Sequence, residues 1–458
     1  AISLIESIVI CLISYILALF IVNDLSYTPI ANWVDADIRL SQYKGLILLT
    51  ALIAILTGCL AGLYPAIRST SYAPALVLKG SFGLSPKGKK VRVALIGFQY
   101  TVSIALIIVT LFMGLQNHFM TSSEQLGFNK DQVAIVNLTP EIYAKHKPQY
   151  IQKLKDYPGI EDVAFSVYEL SKEDDMIDLE YARHEDKDVF FKVFYASENF
   201  LSVMDIQVEE GRDFTREDLN KAQSDYIINP AAERDFHLHP GDRFNDRTVL
   251  GVSKDFRFNS CRIASSPFVF ALNNDIPNPK LVSYIRFNSK TNLQEAVAHV
   301  RETLKEIDPT FPFEISFYNT ILNNLYQKEQ TLGKLISLFG IMAILISIVG
   351  VFGLVLFETQ YRRKEIGIRK INGATTGQIL LMFNKTYIRI VSVCFIISIP
   401  IAWMGTQQWL ENFAYKTPLH LWVFIVAFLI ILSVTIGTVT FRNWQAANEN
   451  PVNSVKSE

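Results

Sequence analysis

The sequence turns on LGKLISLFGIMAILISIVGVFGLVLF, Leu332 to Phe357, and on RRKEIGIRKINGA, which follows shortly after it at Arg362 to Ala374. The first stretch exceeds the ~20 apolar residues that carry a helix across a bilayer, and its one ionisable side chain, Lys334, lies near its start. The second packs five basic residues into nine positions. A greasy rod that ends at once in cations is the pattern of a helix leaving a membrane on its cytosolic side.

The same pattern recurs along the 458 residues. Ile2–Val22, Lys44–Ala66, Val93–Leu115, Ile388–Met404 and Leu421–Phe441 are further apolar blocks of spanning length, which makes about six spans in all. Only 19% of the residues are charged and 12% are aromatic, unlike an average soluble chain. The connections alternate in charge. Ile67–Arg92 contains six basic and no acidic residues, and Glu358–Lys385 contains six basic residues against Glu358 and Glu365; Asn23–Tyr43 and Gly405–His420 carry no such excess. The basic connections are therefore expected in the cytoplasm and the others outside, with a cytoplasmic C-terminus. A net charge of −1 gives no global field for nucleic acid, and no nucleic-acid partner is expected.

This topology puts residues 116–331 outside, long enough for a domain with its own core. Two patterns alternate there. QVAIVNL, a polar helix near Pro140–Tyr157 and IEDVAFSV form one βαβ or split-βαβ unit; LVSYIRF, LQEAVAHVRETLKEI and FEISFYN form another. Between them VFFKVFYA, DYIIN and RTVLGVS suggest a β-rich subdomain. The predicted fold is an α-helical polytopic membrane protein with a large α+β extracytoplasmic domain. Its parts are 1–66, two spans; 67–92, a basic linker; 93–115, a span; 116–331, the outer domain; 332–357, a span; 358–385, a coupling segment; 386–442, two spans; and 443–458, a tail. Cys261 is the one external cysteine, so the outer domain has no partner for an intramolecular disulfide.

An internal correspondence bears on where the chain starts. YPAIRSTSYAPALVLK, Tyr64–Lys79, can be laid over FRNWQAANENPVNSVK, Phe441–Lys456, each after an apolar span. The unit ending at Lys79 lacks the outer domain that the second unit has, so Ala1 is expected to lie inside a longer chain.

If helical from Thr359, the basic segment brings Tyr361, Ile368 and Ile371 to one face and spreads Arg362, Arg363, Arg369 and Lys370 over the other. Glu365 precedes Arg369 by four, the favourable order for an ion pair. Asn372-Gly373 supplies a left-handed stop, and Thr375 to Gln378 has capping-box spacing. The result is a short amphipathic helix tied to a span on either side. A positive-inside anchor on lipid headgroups accounts for it equally well on these grounds.

RRKEIGIRKINGATTGQIL resembles the cytoplasmic connector of FtsX-like, MacB-type permease subunits of ABC transporters. VRVALIGFQYTVSIALII, SEQLGFNKDQV, FLSVMDIQVEEGRDF, VLGVSKDFRF and NPVNSVK resemble the same family, in the form with two permease units per chain. The resemblance implies that Arg362, Arg363, Lys364, Glu365, Ile366, Gly367, Ile368, Arg369, Lys370, Gly373 and Ala374 form the segment that docks on ABC ATPase subunits. It implies no catalysis and no cofactor in this chain, with ATP and Mg²⁺ on the partner. It further implies a bacterial inner-membrane protein with a periplasmic domain, with a periplasmic adaptor and an outer-membrane channel as candidate partners. Export or extraction of a lipoprotein, peptide or hydrophobic drug is the implied function. A non-transporting subunit that switches a periplasmic cell-wall hydrolase and a ligand-sensing receptor are the alternatives.

Other features carry less. Gly58 and Gly62 have the small-xxx-small spacing of close helix packing, and equally of ordinary small residues in a span. GLSPKGKK, Gly83–Lys90, approaches a phosphate-binding loop, but Lys90 stands where a hydroxyl should hold Mg²⁺. His237-x-His239 offers two metal ligands with no third apparent, so no metal site is assigned. Glu173, Asp174, Asp175 and Asp178 lack the spacing of a calcium loop and read as solvated.

Overall fold

The computed structural model describes residues 2–28, 43–70, 86–122, 126–171, 178–221, 223–257, 260–272 and 281–448. They divide into two compact units: residues 1–112, 331–406 and 420–458, and residues 113–330 with 407–419.

Among the described residues six helices are long and apolar enough to cross a membrane, and most of each lies in the first unit. They are Ile2–Leu25, Lys44–Thr70, Pro86–Thr121, Gln327–Tyr361, Thr376–Leu410 and Leu421–Asn448, called here the first to sixth membrane helices. Several run well past the apolar blocks, because polar turns continue the helix beyond the hydrocarbon length.

The third helix has polar contacts with each of the last three. Its Ser103 hydroxyl lies 2.9 Å from Ser347 of the fourth, its Thr101 carbonyl accepts from Ser398 of the fifth at 3.0 Å, and its Tyr100 hydroxyl lies 2.9 Å from Thr435 of the sixth. In hydrocarbon such pairs help set which faces meet. The first and second helices pack on each other. A methyl group on Gly58 would lie 2.8 Å from the Ile8 Cα, and one on Gly62 3.0 Å from the Leu4 Cα, so a larger residue at either position would push the pair apart.

The second unit is built on one sheet. Its strands are β1 Val133–Leu138, β2 Ile160–Ser166, β3 Asp178–His184, β4 Lys187–Ala196, β5 Val208–Gly211, β6 Tyr226–Ile228, β7 Arg243–Phe244, β8 Arg247–Ser253, β9 Phe268–Leu272, β10 Leu281–Phe287 and β11 Ile315–Phe317. The order is β11-β1-β10-β2-β4-β9-β6-β8-β5, with β3 on β4 and β7 on β8.

The expected βαβ units are both split. β10 lies antiparallel between β1 and β2, and β1 lies antiparallel between β10 and β11. Period-two alternation fills both faces: Ala134, Val136 and Leu138 pack with Tyr150, Leu154, Val300 and Leu304 of the two crossover helices, while Val133 and Ile135 face the opposite core. The helix Leu293–Ile307 buries Ala296, Val300, Thr303 and Leu304, one helical stripe, and Asn292 caps it by accepting from the Gln294 amide at 3.1 Å.

The β-rich part continues the same sheet through one bridge, Ser166 with Ala196. Phe194, Phe200, Ile227, Phe270 and Tyr284 share one cluster across that bridge, so the two halves of the sheet have a core in common.

Candidate functional site

The basic segment is an elbow with two ends fixed differently. At its start, the fourth helix closes at Tyr361 and a new helix runs from Arg363 to Ile371, with Arg362 between them at φ −94° and ψ 11°. Arg362 reaches back. Its Nη2 donates to Glu358 Oε1 at 3.0 Å, and the other Glu358 oxygen accepts from the Tyr387 hydroxyl at 3.3 Å. Glu358 is almost wholly buried, so this ion pair is shielded from solvent far more than a surface pair. Next to it the Thr359 hydroxyl lies 2.7 Å from Asn443 Oδ1 on the sixth helix.

At its end the elbow closes with a full left-handed cap. Gly373 sits at φ +86°; the Ala374 amide donates to the Arg369 carbonyl at 3.0 Å and the Gly373 amide to the Lys370 carbonyl at 3.0 Å. The next helix then begins with a reciprocal capping box: the Thr375 amide donates to Gln378 Oε1 at 3.1 Å, and the Gln378 amide to the Thr375 hydroxyl at 3.3 Å. Glu365 and Arg369 pair at 2.7 Å.

The helix turns inward a side that the amphipathic pattern did not single out. Ile366 and Gly367 are the buried residues, whereas Ile368 and Ile371 are 56% and 66% exposed beside Arg369. The expectation assumed one helix from Thr359. The helix is broken at Arg362, whose side chain stays with Glu358, although the Arg362 amide still donates to the Glu358 carbonyl at 3.0 Å and the Ile366 amide to the Arg362 carbonyl at 2.9 Å. The side chains of Tyr361, Arg363 and Lys364 lie outside the described residues.

A second site, in the other unit, was not apparent from the sequence. The segment Gln407–Leu419 belongs there, and it is clasped by aromatic and cationic side chains. Phe413 packs with Met120, Cys261, Tyr326, Trp409 and Tyr415. The Arg257 guanidinium stacks 4.1 Å from the Tyr415 ring centroid and 5.1 Å from that of Phe119, and Arg262 lies over Phe413 at 4.9 Å while pairing with Glu329 at 2.7 Å. Backbone bonds lock the segment: the Tyr415 amide donates to the Cys261 carbonyl at 3.1 Å, and the fully buried Gln116 amide bridges the Tyr415 carbonyl at 3.1 Å and the Thr417 amide at 2.8 Å. The aromatic density of WLENFAYK was the available signal.

Three outer-domain stretches of the sequence converge beside this clasp. The Arg257 amide donates to the Leu126 carbonyl at 2.8 Å, the Asn129 amide to the Met204 carbonyl at 2.9 Å, and the Lys254 amide to the Gln207 carbonyl at 2.7 Å.

The remaining candidates resolve differently. Pro86–Lys90 form the opening of the third helix, so those lysines sit on a helix and not in a phosphate-wrapping loop; Gly83 to Ser85 lie outside the described residues. His237 is an exposed left-handed cap that ends the helix Pro230–Phe236 and does not pair with His239. His239 instead lies near Glu233 and Glu210, with ligand atoms within 4.8 Å of one another. The second and third groups are thus carboxylates, Glu233 from the adjoining helix and Glu210 from a distant position. Glu173, Asp174 and Asp175 lie outside the described residues, and Asp178 opens β3. The four cysteines are free.

The family described as "FtsX-like permease C-terminal" matches residues 337–451, which take in the elbow and the last three membrane helices. That stretch is similar to the FtsX-like permease family. Among curated proteins, the macrolide export ATP-binding/permease protein MacB of Aggregatibacter actinomycetemcomitans is 25% identical to this chain over 212 residues, 43% of the chain and 32% of the relative. That of Neisseria gonorrhoeae is 25% identical over 223 residues, 46% and 34%. The chain thus spans about a third of the length of these relatives. Among solved structures, the periplasmic region of MacB from Actinobacillus actinomycetemcomitans superposes with a TM-score of 0.32 at 14% identity, over 43% of this chain and 94% of that one.

Proposed function

We propose that this FtsX-like chain is the permease subunit of an ABC transporter, with its elbow docked on a partner ATPase in the cytoplasm and its α+β unit in the periplasm. The partner binds ATP and Mg²⁺. Its closure moves the elbow, and the membrane helices relay that movement to the α+β unit, which drives export or extraction of a hydrophobic drug, peptide or lipoprotein.

The observation that carries the reading is the elbow itself. A helix held by a partly buried ion pair at one end and by a cap and capping box at the other has little freedom to move separately from its two flanking helices. It exposes Ile368, Ile371 and Arg369 together, an apolar pair beside a cation, which suits a protein groove better than bulk water. The clasp on Gln407–Leu419 supports the relay, because it makes the segment after the fifth helix an integral part of the α+β unit.

The test is a pull-down of a co-expressed ABC ATPase subunit on the full chain. Ile368→Asp with Arg369→Glu is expected to reduce recovery at least ~10-fold, the range for losing a central apolar anchor and its neighbouring charge. Undiminished recovery would refute the docking role.

A further inference from the structure

Beyond that reading, and whichever compartment the elbow meets, the third and fifth helices enclose a groove suited to a ligand of defined chemistry. The cavity between them measures about 1000 Å³ and is lined by the third helix from Val93 to Val109 and the fifth from Arg389 to Gly405. The two helices come within reach of each other at Gly97, where a methyl group would lie 3.6 Å from the Cys394 Sγ, an ordinary van der Waals distance. The one hydroxyl in the lining is already committed, Thr101 to the Gly97 carbonyl at 2.9 Å, so apart from Arg389 the walls offer an occupant apolar surface.

Arg389 is the one charged residue in the lining, and it stands at one end. Lys385 lies one turn before it on the same exposed helical face. Among the described residues neither side chain has an ion-pair or hydrogen-bond partner. The apolar part of the fifth helix begins immediately after Arg389, which places that guanidinium where headgroups meet hydrocarbon. From Arg389 to Gly405 the groove extends roughly 24 Å at a rise of 1.5 Å per residue. One leaflet of hydrocarbon is only about 15 Å deep, so the groove accommodates a full acyl chain.

We infer that the groove binds an anionic phospholipid, with its phosphate on Arg389, supported by Lys385, and an acyl chain along the groove. A guanidinium matches phosphate through paired N–H donors, and a headgroup without a cation of its own avoids repulsion from the two basic residues. Basic pockets between membrane helices recognise acidic headgroups in this way.

The experiment uses the full chain, purified and exposed to an equimolar mixture of phosphatidylglycerol and phosphatidylcholine with identical acyl chains, with retained lipid counted by native mass spectrometry. The wild type should retain phosphatidylglycerol over phosphatidylcholine by about 10-fold. Arg389→Ala should bring that ratio below ~2-fold, Arg389→Lys should keep most of it, and Ala94→Trp, which fills the groove wall, should remove both lipids. Thermal unfolding of the Lys and Trp variants separates a lost site from a lost fold. Equal retention of the two lipids by the wild type, or an unchanged ratio in a folded Arg389→Ala, overturns the proposal. So does a disulfide between two copies carrying Val393→Cys with no lipid retained, since the groove would then be a protein interface.

Discussion

The elbow at Arg362–Ala374 and the segment Gln407–Leu419 flank the same helix, and they are held by opposite means. The elbow is fixed almost entirely by neighbours in sequence: Glu358 with Arg362, Glu365 with Arg369, Ala374 with Arg369, Thr375 with Gln378. The other segment is fixed by residues far away in the sequence, Gln116, Arg257, Cys261 and Tyr326. Local devices keep a shape while the surroundings move, which suits a part that takes force from a partner. Long-range contacts make a segment move with the body it is attached to, which suits a part that delivers force.

The sharpest way to break this contrast is at Gln116. Gln116→Leu keeps the bulk but leaves the Tyr415 carbonyl and the Thr417 amide buried without partners, at a cost of about 1–3 kcal/mol each. Amide exchange of Glu411–Leu419 should then accelerate by roughly two orders of magnitude, with the elbow unaffected. If the segment keeps its protection, aromatic packing alone holds it.

This contrast also explains what could be read beforehand. The six membrane helices were legible because apolar length is a property of a contiguous stretch. Both split units were legible because their strands and helices have different periods. β3 was not, since in DLEYARH the apolar Leu179 and Tyr181 are exposed and only Ala182 is buried, which reverses the usual pattern of a half-buried strand. The short run FVFAL of β9 gave no period by which to separate strand from helix. In the elbow, both caps and the Glu365–Arg369 pair were visible in the sequence because they are local. The buried face was not, because the side of a short amphipathic helix that is covered depends on the elements it packs against. The clasp around Tyr415 left only an aromatic-rich stretch as a hint, and nothing in one stretch of sequence names its distant partners.

A smaller effect is expected where the elbow turns. Gly373→Val forces a β-branched residue to φ +86°, costing about 1–2 kcal/mol. Exchange at Ile371–Ala374 should rise roughly 5- to 30-fold, while Gly373→Asn, which tolerates that conformation, should stay close to wild type. A Val variant with unchanged exchange would mean that the flanking helices, and not the cap, set the angle.

The smallest effect is the most discriminating. Glu365 and Arg369 pair on an exposed surface, where such a pair contributes at most ~0.5 kcal/mol and weakens with salt. Glu365→Gln should therefore leave elbow exchange within about 2-fold of wild type. Because that variant barely disturbs the helix, its effect on partner binding reports contact and not folding. If Glu365→Gln binds the ATPase normally while Arg369→Glu does not, the Arg369 guanidinium itself meets the partner. If both lose binding equally, the partner reads the orientation that the pair imposes on Arg369, and the ion pair belongs to the docking surface.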